Sequence, residues 1–235
     1  MFREVLLPNA PKLVSAGENS AVFEVAQLYP GYGVTIGNAL RRVLLSSIKG
    51  AAISRVHFDN VLHEFSTIPG VLDDVLDICL NLKQVRLSYP GDEPAELILA
   101  IKGKGEVKAG DIKGHGGLEV KNPDLVILTV TNDKTAFTMK LTAEKGIGYL
   151  PAELQRKERV EPGTIVLDAI FSPIRNVSYE VENMRVQDRT DFNLLRLTIE
   201  TDGTIKPEEA LSQATETLAK QLQVVLDGLN PKSSE

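Results

Sequence analysis

Hydrophobic and polar residues alternate near the start of the chain and again in its last third. Ala21, Phe23 and Val25 point to one side of a predicted strand, which the turn Tyr29-Pro30-Gly31 ends. Proline and glycine rarely continue a β-ladder, so the strand stops there. The same alternation predicts strands over 174–182 and 194–200, and the turn 201–204 ends the second of them.

Residues 33–50 predict a helix from about Gly37 or Asn38 to Ile48, because Asn38 suits the first turn and Gly50 suits a stop. One face of this helix is formed, at 100° per residue, by Leu40, Val43, Leu44, Ser47 and Ile48. Leu45 lies outside this stripe, near two arginines. An additional leucine in this position indicates either a second contact surface or an ordinary exposed leucine.

The middle of the chain predicts one helix followed by many strands. The helix covers about 71–82, and its apolar face is formed by Val71, Val75, Ile78, Cys79 and Leu82. Cys79 is therefore predicted to be a small buried hydrophobic residue rather than a reactive thiol. β-Branched residues predict strands at 85–89, 96–102, 118–121, 125–132, 136–142 and 164–171, and the glycines of 102–117 predict an irregular loop.

A final helix is predicted from Pro207, with Glu208 and Glu209 in its first turn. Residues on one of its faces, all apolar except Thr215, recur at spacings of 4, 3, 4, 3 and 4; they are Leu211, Thr215, Leu218, Leu222, Val225 and Leu229. This heptad-like seam requires a partner surface. The seam either packs on the chain's own domain or mediates self-association.

Charge and composition exclude several classes of protein. The 235 residues include 26 Lys and Arg against 32 Asp and Glu, a net charge of −6, with one cysteine and three histidines. A disulfide framework needs paired cysteines, and Cys79, His57, His63 and His115 lack the spacing of a zinc site. The acidic balance disfavours unaided binding to duplex DNA. No apolar run approaches the ~20 residues of a membrane span, so we expect a cytoplasmic protein with no membrane partner.

Motifs for catalysis or cofactors are weak in this sequence. Gly31, Gly33 and Gly37 have the spacing GxGxxxG before a helix, which leaves a nucleotide-binding enzyme as the less favoured alternative. The basic residues Arg156 and Lys157 alternate with glutamates, which favours a solvated loop over a nucleic-acid site. No set of nucleophile, base and orienting group emerges. We therefore expect no catalytic residues, no metal and no cofactor in this chain.

Three segments resemble one family closely. GYGVTIGNALRRVLLSSIKG at 31–50, VLHEFSTIPGVLDDVLDICLNLK at 61–83 and VENMRVQDRTDFNLLRLTIETDGTIKPEEAL at 181–211 are similar to the α subunit of bacterial DNA-directed RNA polymerase. The resemblance implies an α+β fold. A dimerisation domain of antiparallel sheet and helices would be made from 1–49 and 174–235, with a mainly-β domain inserted at 50–173.

The resemblance also implies a function without catalysis in this chain. The family's subunit dimerises and recruits the catalytic β and β′ subunits of a nucleotidyltransferase in transcription. By similarity, the β/β′ contact region includes Arg42, Leu45, Lys83, Arg41, Gly37, Asn38, His63 and Glu64. The dimer contacts would include Leu40, Leu44, Ile48, Leu211, Leu218, Leu222, Val225 and Leu229. Because nothing follows Glu235, where the family continues into a DNA-binding domain, we expect no promoter DNA binding by this half.

Overall fold

The two ends of the chain fold together into one unit, and the residues between them form a second one. We call residues 1–48 with 173–235 the terminal unit, and residues 49–172 the inserted unit. The computed structural model describes residues 5–59, 61, 63–114, 117–155 and 163–229. His115 and the basic pair Arg156 and Lys157 lie outside these described ranges.

Fifteen strands and four helices are defined within the described ranges. The strands are β1 Lys12–Ala16, β2 Ser20–Leu28, β3 Lys49–Phe58, β4 Leu87–Ser88, β5 Ala95–Lys102, β6 Gly105–Lys108, β7 Lys113–Gly114, β8 Glu119–Val120, β9 Val126–Val130, β10 Ala136–Ile147, β11 Tyr149–Leu150, β12 Thr164–Val166, β13 Ala169–Ile170, β14 Ile174–Val186 and β15 Arg189–Thr201. The helices are α1 Tyr32–Ser47, α2 Val75–Leu82, α3 Ala152–Gln155 and α4 Pro207–Leu229.

The terminal unit is a four-stranded antiparallel sheet covered on one face by helices. The strand order is β1-β2-β15-β14, so residues from both chain ends are hydrogen-bonded neighbours. Phe23 and Leu197 are paired across β2 and β15 and are buried under α1 and α4. On the opposite face, Arg196 pairs with Glu24 at 2.8 Å. The alternation predicted from the sequence therefore separates a covered face from an open one.

Helix α1 begins about five residues earlier than the sequence predicts. Its N-terminal residue follows Gly31, which adopts φ +88°, a conformation that glycine takes without steric cost. The amides of Gly31 and Gly33 both donate to the side-chain oxygen of Asn193 on β15, at 2.9 and 3.3 Å. Because this cap comes from about 160 residues away in sequence, no local signal predicts the true start of α1.

The inserted unit is built around a large antiparallel sheet with the order β7-β5-β10-β3-β4-β8, to which β12 adds beside β3. Its core lies on one face of that sheet, beneath α2 and β9. Helix α2 starts at Val75 rather than near 71, because the Asp74 side chain accepts the amide of Asp77 at 2.8 Å and ends the preceding turn. The glycine-rich stretch predicted as an irregular loop contains β6, β7 and a short 3₁₀ helix at 109–111.

The structure confirms the predicted fold class, an α+β chain with a mainly-β insertion. Cys79 is buried in α2, and burial raises the pKa of its thiol to about 12, so the thiolate is not formed near neutral pH. None of the helices in the described ranges combines the length and the apolar character that crossing a bilayer requires.

Candidate functional site

The N-terminus of α1 is closed to a phosphate ligand. Its first amides already bond to Asn193, which occupies the position that an anion would take at a helix N-terminus. The sheet beside it is antiparallel throughout, whereas a dinucleotide fold needs parallel strands. The geometry therefore does not support a nucleotide site at Gly31, Gly33 and Gly37.

Gly37 faces the sheet of its own chain. A Cβ atom at this position would lie 2.7 Å from Tyr179 Cδ2 and 2.8 Å from Leu195 Cδ1, both closer than real side chains approach. The glycine lets α1 lie directly on β14 and β15. Gly37 is therefore buried and supports packing within the chain, and its place in the contact region, which the resemblance implies, stays a prediction.

The outward face of α1 is a stripe of residues at positions i, i+4, i+7 and i+11. This outward stripe is defined by Val34, Asn38, Arg41 and Leu45, with Arg42 at its border, and all five side chains are exposed. Two apolar ends therefore flank a polar, cationic centre. A helix that only covered a core would not need apolar residues on this side.

The two adjacent arginines of α1 have different roles in the fold. Arg41 Nε donates to the carbonyl oxygen of Val177 at 3.0 Å, so it provides a hydrogen-bond donor for one carbonyl group of the edge strand β14. Arg42, within the described part of the chain, has neither a hydrogen bond nor an ion pair through its guanidinium. Arg41 is thus partly used for the fold, whereas Arg42 presents five donors to solvent.

Three leucine and isoleucine residues that the resemblance places in the dimer contact lie inside the terminal unit. Leu40, Leu44 and Ile48 are buried, and they pack with Ala210 and Ala214 of α4. Because these side chains are at most 7% exposed, they have little surface left to bury against a second copy. Within one chain these residues join α1 to α4, and their place in a dimer contact stays a prediction.

Helix α4 changes its surroundings along its length. In its first half Ala210 and Ala214 are buried, and Leu211 and Leu218 are half-buried against the same core. Every residue from 221 to 229 is exposed. The exposed part carries an apolar face, which we call the free seam, formed by Leu222, Val225, Leu226 and Leu229. The heptad-like spacing does not include Leu226, although this residue lies one turn beyond Leu222 on the same face.

The remaining predicted contact residues lie in the inserted unit. Lys83 ends α2, and its Nζ bonds to Asp168 Oδ2 at 2.9 Å. His63 is exposed and its Nδ1 lies 3.1 Å from Ser66 Oγ, while Glu64 is half-buried. Glu64 and Lys83 line the same cleft. The structure therefore brings two of these three side chains to one surface of the inserted unit.

Asp168 is a candidate residue that only the structure identifies. Its Oδ1 accepts the amide of Ala152 at 2.9 Å, and its Oδ2 accepts Lys83. The hydrogen bond from the Ala152 amide lowers the pKa of the Asp168 carboxyl below its usual range, and the hydrogen bond from Lys83 lowers it further, by a smaller amount. Because Lys83 and Asp168 lie 85 positions apart, no sequence pattern indicates the pair.

No three His, Cys, Asp or Glu side chains within the described ranges come together as metal ligands do. Three exposed surfaces in the described ranges are candidates for contacts with partners: the outward stripe of α1, the free seam of α4 and the cleft beside Lys83.

Comparison with known proteins identifies the family. The family model described as "RNA polymerase Rpb3/RpoA insert domain" matches residues 56–172. The chain is 46% identical over 216 residues to the protein named DNA-directed RNA polymerase subunit alpha of Roseiflexus sp., and 47% identical to the one of Roseiflexus castenholzii. Both matches cover 92% of this chain and 66% of the relative, so the chain spans about two thirds of their length.

A protein from a third bacterium provides a similar match. The Flavobacterium psychrophilum protein of the same name is 43% identical over 223 residues, which cover 94% of this chain and 67% of that protein. Such identity over nearly the whole chain spans the terminal and the inserted unit alike. The chain therefore belongs to the family of DNA-directed RNA polymerase α subunits.

Proposed function

We propose that this chain is a non-catalytic assembly subunit of a DNA-directed RNA polymerase, which forms a homodimer and then recruits the β and β′ subunits. The observation that carries the proposal is the free seam of α4, an apolar helix face that no part of the described chain covers. In this proposal the chemistry of nucleotidyl transfer belongs to the large subunits. The chain acts in the cytoplasm without a cofactor and without binding promoter DNA through these residues.

The free seam has the properties of a contact between two copies. Leu222, Val225 and Leu229 follow the heptad-like spacing of the sequence, and Leu226 lies one turn beyond Leu222, so all four lie on one side of α4 over more than one turn. Burying a leucine or valine side chain contributes about 1.5–3 kcal/mol, so leaving four of them in water is unfavourable. Homodimer interfaces are more apolar than the average protein surface. A second copy of α4 supplies the same apolar face.

The outward stripe of α1 suits a different partner. Arg42 can form a bidentate pair with a carboxylate, because its guanidinium is not used within the described chain. Leu45 lies beside it and offers an apolar contact that excludes water from such a pair. We assign Arg42, Leu45 and Asn38 to capture of a large subunit, and Arg41 to capture only in part.

The dimer is tested by measuring the molecular mass of the chain by sedimentation equilibrium at micromolar concentration. We expect twice the chain mass of 25.6 kDa. Leu222→Asp places a charge in the free seam, because Leu222 is 62% exposed on that face, and should give monomers. Val224, 71% exposed, lies on the opposite side of α4, so Val224→Asp is a matched control that should remain dimeric.

Two results would contradict the dimer proposal. One is a wild-type chain that sediments as a monomer at these concentrations. The other is a Leu222→Asp chain with the same mass as Val224→Asp, because a charge in the proposed contact would then have no effect. Co-expression with the β and β′ subunits of the same organism tests recruitment separately, through co-purification of either large subunit with the wild-type chain.

A further inference from the structure

A methionine sulfur serves as a hydrogen-bond acceptor within the sheet of the terminal unit. Met184 lies on the edge strand β14 and Gln27 lies on β2, and β15 separates these two strands. The Met184 side chain crosses β15, and its Sδ accepts the amide of Gln27 at 3.1 Å. A thioether is a weak acceptor, whereas most amides of a sheet donate to a backbone carbonyl oxygen. The sulfur of Met184 thus links the two strands that flank β15.

Gln27 takes this acceptor at an interruption of its strand. The register places two residues of β2, Ala26 and Gln27, opposite the single residue Leu194 of β15. Gln27 also adopts φ +63°, a conformation that residues other than glycine rarely take. A β-bulge of this kind disrupts the ladder locally, so an amide within it takes a partner elsewhere. The next residues lead to Gly31, whose amide donates to the cap of α1.

The two methionines of the described ranges have opposite surroundings. Met139 lies on β10 in the core of the inserted unit, where 0% of its surface is exposed. Met184 follows Glu182 by two positions on β14, so its side chain lies on the open face of the terminal sheet, and it is partly exposed. A dissolved oxidant can therefore approach the sulfur of Met184 in the folded chain but not that of Met139.

We propose that Met184 is a site of reversible oxidation by hydrogen peroxide. A lone pair of Sδ attacks one peroxide oxygen and the O–O bond breaks. The proton on the transferred oxygen passes to the departing hydroxide, so the products are the sulfoxide and one water molecule. Sulfur loses two electrons and the peroxide gains them. Methionine sulfoxide reductases reverse this change in proteins generally. The reaction needs the chain alone, so the site does not depend on the proposed function.

Oxidation is incompatible with the present link between the strands. An N–H···O hydrogen bond alone spans about 2.9 Å, so an oxygen atom does not fit between the Gln27 nitrogen and Met184 Sδ at 3.1 Å. If the new oxygen accepts the amide, the sulfur must withdraw from Gln27. If the oxygen points elsewhere, the amide loses an acceptor. Both arrangements loosen the bulge and the residues that lead from it to Gly31.

The site is tested by treating the full chain with hydrogen peroxide under native conditions. Mass spectrometry of peptides, taken at timed intervals, measures the sulfoxide at each methionine. We expect Met184 to be oxidised about tenfold or more faster than Met139, because the core sulfur reacts only when the fold opens. In denaturing urea the two rates should be equal. Equal rates in the native chain would overturn Met184 as the site.

Hydrogen exchange tests the consequence for the sheet. After oxidation, a peptide that covers residues 20–31 should exchange about threefold or more faster, since a hydrogen bond of its amides is lost or rebuilt. A peptide that covers β10 should exchange as before. A mixture of the two methionine sulfoxide reductases, one for each epimer, should restore the original rate. Unchanged exchange at 20–31 in the oxidised chain would overturn the loosening of the bulge.

Two substitutions at position 184 make the result specific. Met184→Leu keeps the volume and cannot be oxidised, so peroxide should not change its exchange at 20–31 further. Met184→Gln carries a polar oxygen and should exchange without peroxide as the oxidised wild type does. The matched control is Met139→Leu, which should respond to peroxide as the wild type does. A response to peroxide in Met184→Leu equal to that of the wild type would assign the effect to another residue and overturn the proposal.

Discussion

The inward and outward faces of α1 show how one helix serves the fold and a surface together. Leu44 and Leu45 are sequence neighbours, yet Leu44 has 0% of its surface exposed and Leu45 has 39%. Leu44 packs into the core between α1, α4 and the sheet. Leu45 belongs to the outward stripe beside Arg42. The same residue type is thus a buried core residue or an exposed residue according to a rotation of 100° around the helix.

Helix α4 makes the same division along its axis instead of around it. Its first half covers the core of the terminal unit through Ala210 and Ala214, and its second half carries the free seam. A heptad-like pattern runs through both halves without a break. The pattern therefore indicates an apolar face but does not indicate whether that face is covered by the same chain.

The largest expected contrast is between the two neighbouring leucines of α1. Leu44→Ala should lower the free energy of unfolding by about 2–5 kcal/mol, because it leaves a cavity in a packed core. Leu45→Ala should change it by less than about 0.5 kcal/mol. Urea denaturation at one fixed protein concentration measures both values, since dimerisation links stability to concentration. Equal effects of the two substitutions would contradict the division between the faces.

A smaller contrast is expected between the two arginines. Arg41→Ala removes the bond to the Val177 carbonyl and should cost about 1 kcal/mol of stability. Arg42→Ala should leave stability within about 0.5 kcal/mol but weaken retention of a large subunit by about tenfold or more, as interface arginines often do. The control is Lys12→Ala, which removes one exposed positive charge at the far edge strand β1.

Unchanged retention by Arg42→Ala, measured in the co-expression assay against Lys12→Ala, would remove Arg42 from the proposed contact. A loss of stability in Arg42→Ala as large as that in Arg41→Ala would show that both arginines support the fold. Either result would contradict the proposed role of the outward stripe of α1.

The smallest effect concerns pH and the Lys83–Asp168 pair of the inserted unit. The pKa of Asp168 is lowered in the folded chain, so its contribution to stability is present above the ordinary aspartate value of 3.8 and is lost as pH falls through the lowered pKa. Asp168→Asn should therefore flatten the acid limb of the stability curve. The difference should be below about 1 kcal/mol at neutral pH, because the pair is partly solvated.

Stability measured between about pH 6 and pH 2 in wild type and Asp168→Asn checks this prediction, with Asp92→Asn as control. Asp92 also pairs with a lysine, Lys145 at 3.5 Å, but its side chain is 88% exposed. Parallel acid limbs in wild type and Asp168→Asn would show that the carboxylate does not stabilise the inserted unit.

Much of the fold could be predicted from local patterns. Alternation places β2, β14 and β15, and the proline at 207 marks the first residue of α4. The start of α1 could not be predicted, because its cap is Asn193, which comes from a strand far along the chain. The first turns of α1, within 33–37, form because Gly37 fits closely against Tyr179 and Leu195. Glycine has a low intrinsic helix propensity, so the sequence alone argues against a helix there.

The candidate surfaces could be predicted only in part. Leu45 breaks the apolar stripe in the sequence, and the structure exposes it. The seam is visible as a spacing, but its division into a packed and a free half is not. Leu76 and Leu80 are exposed on α2, whose other face carries the buried apolar residues. Because the buried face dominates the apolar pattern of this helix, the sequence did not indicate the exposed pair. Asp168 carries no signal, since an ion pair across the fold has no sequence period.

The sequence by itself determined the alternation of the strands and the heptad-like period of α4, because both depend on residues near one another in the chain. It also determined the family, because three long segments resemble that family closely. Only the tertiary structure decided which apolar residues are core and which remain free. Burial depends on what lies opposite a side chain, and the elements opposite α1 and α4 come from the other end of the chain. The same physical reason separates Arg41 from Arg42.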